Sequence, residues 1–237
     1  MVIGFWDLNL SIVIPAHNEA ESLPLVIGDI RRSANVDDHV DIIVVDNGST
    51  DATTRVAQAA GARVVAEPRR GYGYACRAGV HAARASSAEA IVFLDGDYSF
   101  DPAEMPRLIE PLRAHHADLV LGSRFLSGKQ SAMLPHQRFG NWLTAWLMRS
   151  LYGLRVTDLG PYRAIRAELL AQLDMREMTY GWPTEMMVKA AKRGARIVEA
   201  PVSYRPRRAG KSKVSGTLRG SLLAGWFILW TTLKHAI

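Results

Sequence analysis

Two carboxylates stand one residue apart in Asp95-Gly96-Asp97, where the apolar run AIVFL at residues 90–94 ends. Five apolar residues suit a buried strand and are too few for a helix. Side chains alternate along a strand, so continuing the pattern sends Asp95 and Asp97 out on the same side. Carboxylates that close repel and raise one another's pKa unless a cation lies between them. A hard divalent ion is the natural candidate, because Mg²⁺ takes one or two protein carboxylates and fills its shell with water and substrate phosphates. The competing reading is a solvated turn, since short acidic patterns recur by chance. Asp101 in the same stretch reads as a helix N-cap, with Pro102 at the first helical position and Glu104 three beyond the cap.

The elements that would position these groups follow from apolar runs and punctuation. Residues 10–14 (LSIVI) and 42–45 (IIVV) read as buried strands ended by Pro15 and Asp46, residues 63–66 as a third and residues 91–94 as a fourth. Asn18 with Glu21 three residues on predicts a capped helix to about Arg32. Further helices are expected over 52–60 and 74–85, and residues 118–122 close the regular alternation. Alternating strands and helices argue for an α/β fold with a mostly parallel sheet, whose ligands bind beyond the carboxyl ends of the strands. Residues 15–19, 46–51 and 95–97 would converge there. Gly71-Tyr72-Gly73 makes no dinucleotide fingerprint: the third glycine is missing and the first strand runs into PAHNEAE, so an NAD-dependent enzyme is not expected.

From Ser123 the rhythm changes. Residues 141–151, 184–192 and 217–234 look helical, with short strands at 196–198 and 202–204 around Pro201. No linker separates the parts, so residues 1–237 read as one domain whose portion 123–237 is a helical, basic elaboration. On the last helix Leu222, Leu223, Trp226, Phe227, Leu229, Trp230 and Leu233 fill one arc, with Ser221, Gly225, Thr231, Thr232 and Lys234 elsewhere. That arc suits core packing or a membrane interface, and Trp142, Trp146 and Tyr152 offer a second such surface.

With 237 residues, 48% of them hydrophobic and 22% charged, the chain is neither disordered nor a repeat array. Its one cysteine, Cys76, forms no internal disulfide and MVIGFWDLNLSIVIP has no signal-peptide pattern, which predicts a cytoplasmic setting. A net charge of +6, concentrated in residues 205–213, predicts an anionic partner: nucleic acid, a membrane surface or a phosphorylated substrate. The longest apolar run, residues 222–233, falls short of the roughly 20 residues that span a bilayer.

Four segments in order, SIVIPAHNEAESL, IIVVDNGSTDAT, EPRRGYGYACRAG and IVFLDGDYSFDP, resemble the inverting family 2 glycosyltransferases with a GT-A fold. SRF at 123–125, RFGN at 138–141 and RRAGKSK at 207–213 are similar to the dolichyl- and polyprenyl-phosphate mannosyltransferase group. The resemblance implies a nucleotide-sugar-binding part over 1–122 and an acceptor-binding part over 123–237. It places Pro15, His17, Glu19, Val44, Asp46, Asp95, Gly96 and Arg124 around the nucleotide sugar. It gives Asp95, Asp97 and Ser99 to a Mg²⁺ or Mn²⁺ ion, and Arg138, Arg207 and Lys213 to the acceptor phosphate. The chain departs from the group at His17, where tyrosine is common, at Ser99, where glutamine is usual, and at Gly160-Pro161-Tyr162-Arg163 in place of Gly-Phe-Arg.

The implied reaction moves a hexose from a nucleotide sugar, GDP-mannose first and UDP-glucose second, to a polyprenyl phosphate. A phosphate acceptor carries its own nucleophilic oxygen, so Asp97 and the basic residues would serve the leaving diphosphate. A hydroxyl acceptor would need a base, for which Asp158 is the candidate; a buried partner for Arg163 or Arg166 is its other reading. The expected location is peripheral, at the cytoplasmic face of an anionic membrane. The rivals are a soluble acceptor, and a weakly catalytic binding subunit of a membrane-embedded partner. Nucleic acid is not expected as a partner.

Overall fold

The computed structural model describes residues 7–127, 133–208 and 218–235. In chain order the elements are β1 (Asn9–Ala16), α1 (Leu23–Ser33), β2 (His39–Asp46), α2 (Thr53–Ala59), β3 (Arg63–Ala66), α3 (Tyr72–Ala85), β4 (Ala90–Phe93), α4 (Met105–Arg113), β5 (Leu119–Ser123), α5 (Pro135–Tyr152), β6 (Arg163–Arg166), α6 (Ala167–Gln172), α7 (Trp182–Lys192), β7 (Ile197–Pro201) and α8 (Leu218–Lys234). The strands form one sheet in the order β3-β2-β1-β4-β6-β5-β7. β6 runs antiparallel to both its neighbours, and every other pairing is parallel.

Helices cover both faces of the sheet, which is why its central strands are nearly continuous apolar runs. Leu10, Ile12 and Ile14 of β1 pack on one side with Leu23, Ile27 and Ile30 of α1. Val13 faces the other side, against α3. There the helix lies so close that a side chain on Gly79 would collide with Val13.

Three local expectations change. Asn18 does not cap a helix: its φ is 56° and its carboxamide oxygen accepts from Thr50 N at 2.8 Å. Asn18 thus joins two loops, and α1 begins four residues later than the first-turn Glu21 pattern implied, with Pro24 in its first turn. β6 was not expected, because a four-residue RAIR strand flanked by charges carries no apolar run. Residues 202–204 form no strand; β7 ends at Pro201 and only Tyr204 bridges, to Phe100. Asp101 does cap, accepting from Ala103 N at 3.1 Å.

The last helix also turns differently from a simple amphipathic reading. Thr231 and Thr232 are buried while Leu223, Trp226, Trp230 and Leu233 are exposed. Thr232 can face inward because its hydroxyl donates to Ile228 O at 2.8 Å, leaving no polar group to desolvate. No described helix is long and apolar enough to cross a membrane.

After β7 the chain turns back across the carboxyl edge of the sheet. Val202 N donates to Ser123 O at 3.0 Å, Arg205 N to Ser99 O at 2.9 Å and Arg208 N to Asp97 O at 3.2 Å. Buried Glu104 receives both the Ser203 amide at 2.6 Å and its hydroxyl at 3.0 Å. Glu104→Ala is therefore expected to lower unfolding free energy by about 1–3 kcal/mol in urea titration, with Glu104→Gln losing less because it keeps an acceptor.

Candidate active site

The carboxyl ends of β1 and β4 and the loops after β2 and β3 open into a cavity of about 750 Å³. β4 stops at Phe93, so Asp95 and Asp97 stand on a turn rather than on the strand whose alternation suggested their direction. Both nevertheless line the cavity. The turn is tightly built: Tyr98 has φ 61°, and a Cβ on Gly96 would lie 3.2 Å from Leu23 Cδ2 and 3.3 Å from Ile14 Cγ2. Ser22 Oγ donates to Gly96 O at 2.7 Å. Ser99 N and Oγ donate to Asp97 Oδ1 at 2.9 and 2.6 Å, so this serine fixes the carboxylate's direction.

Burial, reinforced by the Asp97 and Glu19 carboxylates, pushes the Asp95 carboxyl up to about 7 against the pull of Arg207 and Arg124. The crevice thus concentrates negative charge that Arg207 and Arg124 only partly answer. Arg207, from the returning segment, reaches Glu19 Oε1 at 2.5 Å and stands 3.8 Å from Asp97 Oδ2. Among the described residues no group of three or more His, Cys, Asp or Glu side chains is arranged to hold a metal. A cation here would take two carboxylates and draw its remaining ligands from substrate and water.

Asp158 is not placed as an available base. It is fully buried, and its partner is neither Arg163 nor Arg166 but Arg124, with Arg124 Nε at 2.7 Å, Nη2 at 2.6 Å and the backbone amide at 2.8 Å. Glu199 on β7 in turn receives Thr157 N at 2.9 Å and Asp158 N at 3.0 Å. This fork aims Arg124, whose guanidinium also lies 5.2 Å from the Tyr204 ring centre, at the cavity. Arg163 is equally structural: burial lowers its pKa to about 10, and it donates to Pro183 O at 2.8 Å and to Gly160 O.

At the end of the cavity beside β2, Pro15 and His17 form the wall, and His17 Nδ1 meets Arg70 Nη1 at 2.7 Å. Arg70 also donates to Asn47 O and Gly48 O, each at 3.0 Å. Asn47 joins three strand ends: its amide donates to Ala16 O, and its side chain donates to Glu67 O and Arg69 O and accepts from Gly71 N. Asp46 adjoins this wall without lining the cavity. Burial raises its pKa, but hydrogen bonds from Ser49 and Thr54 reverse that and hold it below the usual carboxylate range. Val44 is a core residue, wholly buried between the neighbouring strands, so its side chain faces no ligand.

The opposite wall comes from the loop before α7, through Met178, Thr179 and Tyr180, and from Phe227 and Ile228 of α8. The backbone at 177–178 lies against the start of α3, where any side chain on Gly73 would collide with it. Arg138 is not gathered into this site; it is exposed on α5 and lies outside the cavity lining. Lys213 lies outside the described residues. Arg70 and Asn47 escaped the sequence reading although they follow strand ends, and that position was the available signal. Nothing local in Met178-Thr179-Tyr180 signals its place in the cavity.

Comparison with known proteins agrees with this architecture. Residues 11–174 match the family model described as Glycosyl transferase family 2. The chain is 42% identical over 216 residues to an uncharacterised glycosyltransferase of Mycobacterium tuberculosis, covering 91% of this chain and 94% of that protein. It is 35% identical over 219 residues to the undecaprenyl-phosphate mannosyltransferase of Micrococcus luteus, covering 88% of each. Among solved structures, glucosyl-3-phosphoglycerate synthase of M. tuberculosis, in complex with Mn²⁺, UDP and phosphoglyceric acid, superposes with a TM-score of 0.74 at 25% identity, over 97% of this chain and 78% of that one. The sheet order, the crevice and the sequence match agree: this chain is a GT-A-fold glycosyltransferase and belongs to glycosyl transferase family 2.

Proposed function

We propose that this glycosyltransferase moves a hexose from a nucleotide diphosphate sugar to a polyprenyl phosphate, with residues 1–122 holding the donor and residues 123–237 the acceptor. The observation that carries this reading is the state of the carboxylates. Those lining the cavity are Glu19, Asp95 and Asp97; the first is held by Arg207, and the other two form the candidate cation site. Asp158 is committed to Arg124. An acceptor that brings its own anionic oxygen suits such a site, because it needs no base. The acceptor oxygen forms its bond to the anomeric carbon as the bond to the diphosphate breaks, with inversion and no proton to remove. The similarity to an undecaprenyl-phosphate mannosyltransferase supports a lipid phosphate and mannose; GDP-mannose is the first donor to test and UDP-glucose the second.

The donor set fits a hard divalent ion, since a carboxyl lifted to about 7 by burial, and further by the Asp97 and Glu19 carboxylates, lacks positive charge. Mg²⁺ or Mn²⁺ held by Asp95 and Asp97 would neutralise the leaving diphosphate. Ser99 would orient Asp97 rather than ligate. Arg124 and Arg207 would meet phosphate oxygens, and the wall of Pro15, His17, Arg70 and Asn47, with Asp46 and Glu19 beside it, would receive the nucleoside. Such an enzyme would work peripherally, on the cytoplasmic face of a membrane. A soluble phosphorylated acceptor is the second reading, favoured by the structural neighbour bound to phosphoglyceric acid.

Nucleotide release from GDP-mannose or UDP-glucose with Mn²⁺ is expected to depend on added short-chain polyprenyl phosphate and to fall at least about a hundredfold in Asp97→Ala. Equal release without the lipid would move the assignment to a soluble acceptor or hydrolysis.

The raised Asp95 pKa has a definite sign. A carboxyl that holds its proton more tightly when folded contributes stability that is full below the unfolded value and lost as pH rises through about 7. Melting of the metal-free protein is therefore expected to fall between pH 5 and 7.5, with Mn²⁺ restoring it most at the higher pH and Asp95→Asn flattening the profile. Because Mn²⁺ must displace that proton, its affinity should weaken about tenfold per pH unit below 7.

Asp158→Asn tests the positioning role. It leaves a buried guanidinium without its countercharge, so a stability loss of about 3–5 kcal/mol is expected in denaturant titration. A lost kcat with wild-type stability would instead restore Asp158 as a base.

A further inference from the structure

We propose that α5 and α8 together form a face that seats on an anionic lipid bilayer, and that α8 is the wall shared by this face and the cavity, so that a lipid-borne acceptor enters across α8. The inference rests on the lipid-phosphate reading above and deepens it.

α8 meets three environments. Phe227 and Ile228 line the cavity. Thr231 and Thr232 are buried against the body: a side chain on Gly181, just ahead of α7, would collide with the Thr231 hydroxyl, and Tyr152 Oη of α5 donates to Thr232 O. Trp226 and Trp230 point outward, 63% and 52% exposed, with rings stacked at 6.3 Å. The same helix therefore touches the reacting space on one side and presents two tryptophans on another.

α5 packs against α8 and α7 and repeats the pattern. It buries Thr144 and Met148 and exposes Phe139, Trp142 and Trp146, at 62%, 60% and 54%. Their spacing of three and four residues makes one stripe, matched on α8 by Leu223, Trp226, Trp230 and Leu233. Four half-exposed tryptophans on two packed helices are costly in water. At a bilayer interface their rings sit at the depth of the headgroups, where an amphipathic indole is most stable.

Charge identifies the occupant as lipid. No Asp or Glu occurs between Asp118 and Asp158 or after Glu199, and these two stretches, which contain α5 and α8, hold 12 of the 29 Lys and Arg residues. They carry +12 and the rest of the chain −6, so the net +6 conceals a strong polarity. Exposed Arg138, Arg149 and Arg155 accompany the α5 stripe and Lys234 ends that of α8. Aromatic stripes bordered by cations alone complement an anionic leaflet.

The test is cosedimentation with phosphatidylcholine–phosphatidylglycerol vesicles, compared with pure phosphatidylcholine, for wild type, Trp226→Ser/Trp230→Ser and Trp142→Ser/Trp146→Ser. Wild type should bind the anionic vesicles and only weakly the neutral ones, and each double variant should bind about tenfold less. With a short, water-soluble polyprenyl phosphate and no vesicles, the variants should release nucleotide as wild type does. With a long-chain acceptor in vesicles they should be about tenfold slower. The proposal is overturned if wild type ignores the anionic vesicles or if the variants bind as well as wild type. It is also overturned if the variants lose the vesicle-free reaction, or if the tryptophans prove to hold a second copy of the chain together in sedimentation equilibrium. Vesicle binding without any lipid-dependent release would uphold the bilayer face and overturn the acceptor reading instead.

Discussion

Negative charge gathered in a crevice with limited water has to be answered, and most of this structure is arranged around that constraint. Glu19, Asp95 and Asp97 line one cavity, and burial already lifts Asp95 to about 7. Arg207 supplies countercharge from 188 residues beyond Glu19 in sequence. Its arrival depends on the turn of the chain after β7, pinned through Glu104, Ser99 and Asp97. The final third of the chain is therefore part of the electrostatics of a site whose carboxylates all lie in the first half.

The polar side chains around the cavity divide into those that face it and those that build it. Asn47, Glu104, Asp158 and Glu199 have their hydrogen-bonding capacity taken up by backbone or by a fixed partner. Buried polar groups in that state act as rivets, because removing one partner strands the other in a low-dielectric interior. Asp158 belongs with these: a carboxylate forked to Arg124 and wholly buried holds a cation in place and has no lone pair aimed at a substrate proton. The chemistry left to the site is charge stabilisation and positioning, which is what transfer of a sugar away from a diphosphate requires.

α8 shows how one helix can carry several roles because its faces differ. Its threonines face inward, and the Thr232 hydroxyl satisfies itself on the preceding turn. Two of its apolar residues face the cavity and its tryptophans face outward. Of the two readings that its apolar arc allowed, packing against the core would have assigned the opposite orientation.

Much of the donor half was legible in the sequence, since each strand is an apolar run ended by a proline or an acid. Parallel sheets then place those ends together by topology, which is why Pro15, His17, Glu19 and the Asp95–Asp97 turn could be gathered before any coordinates. The last helix and its tryptophans were legible from periodicity. What only the tertiary structure decided concerns pairing across long separations. Asp158 chose Arg124 over Arg163 and Arg166, Arg207 came to Glu19, and Arg138 stayed on the surface. Val44 looked like a site residue and is core, because a position two residues inside a central strand is enclosed by its neighbours. β6, the Met178–Tyr180 wall and the inward turn of Thr231 and Thr232 had no local signal at all. Apolar periodicity is set by neighbours a few residues away and is written in the chain; the choice of an ionic or packing partner is set by whichever groups the fold brings within a few ångströms, and is not.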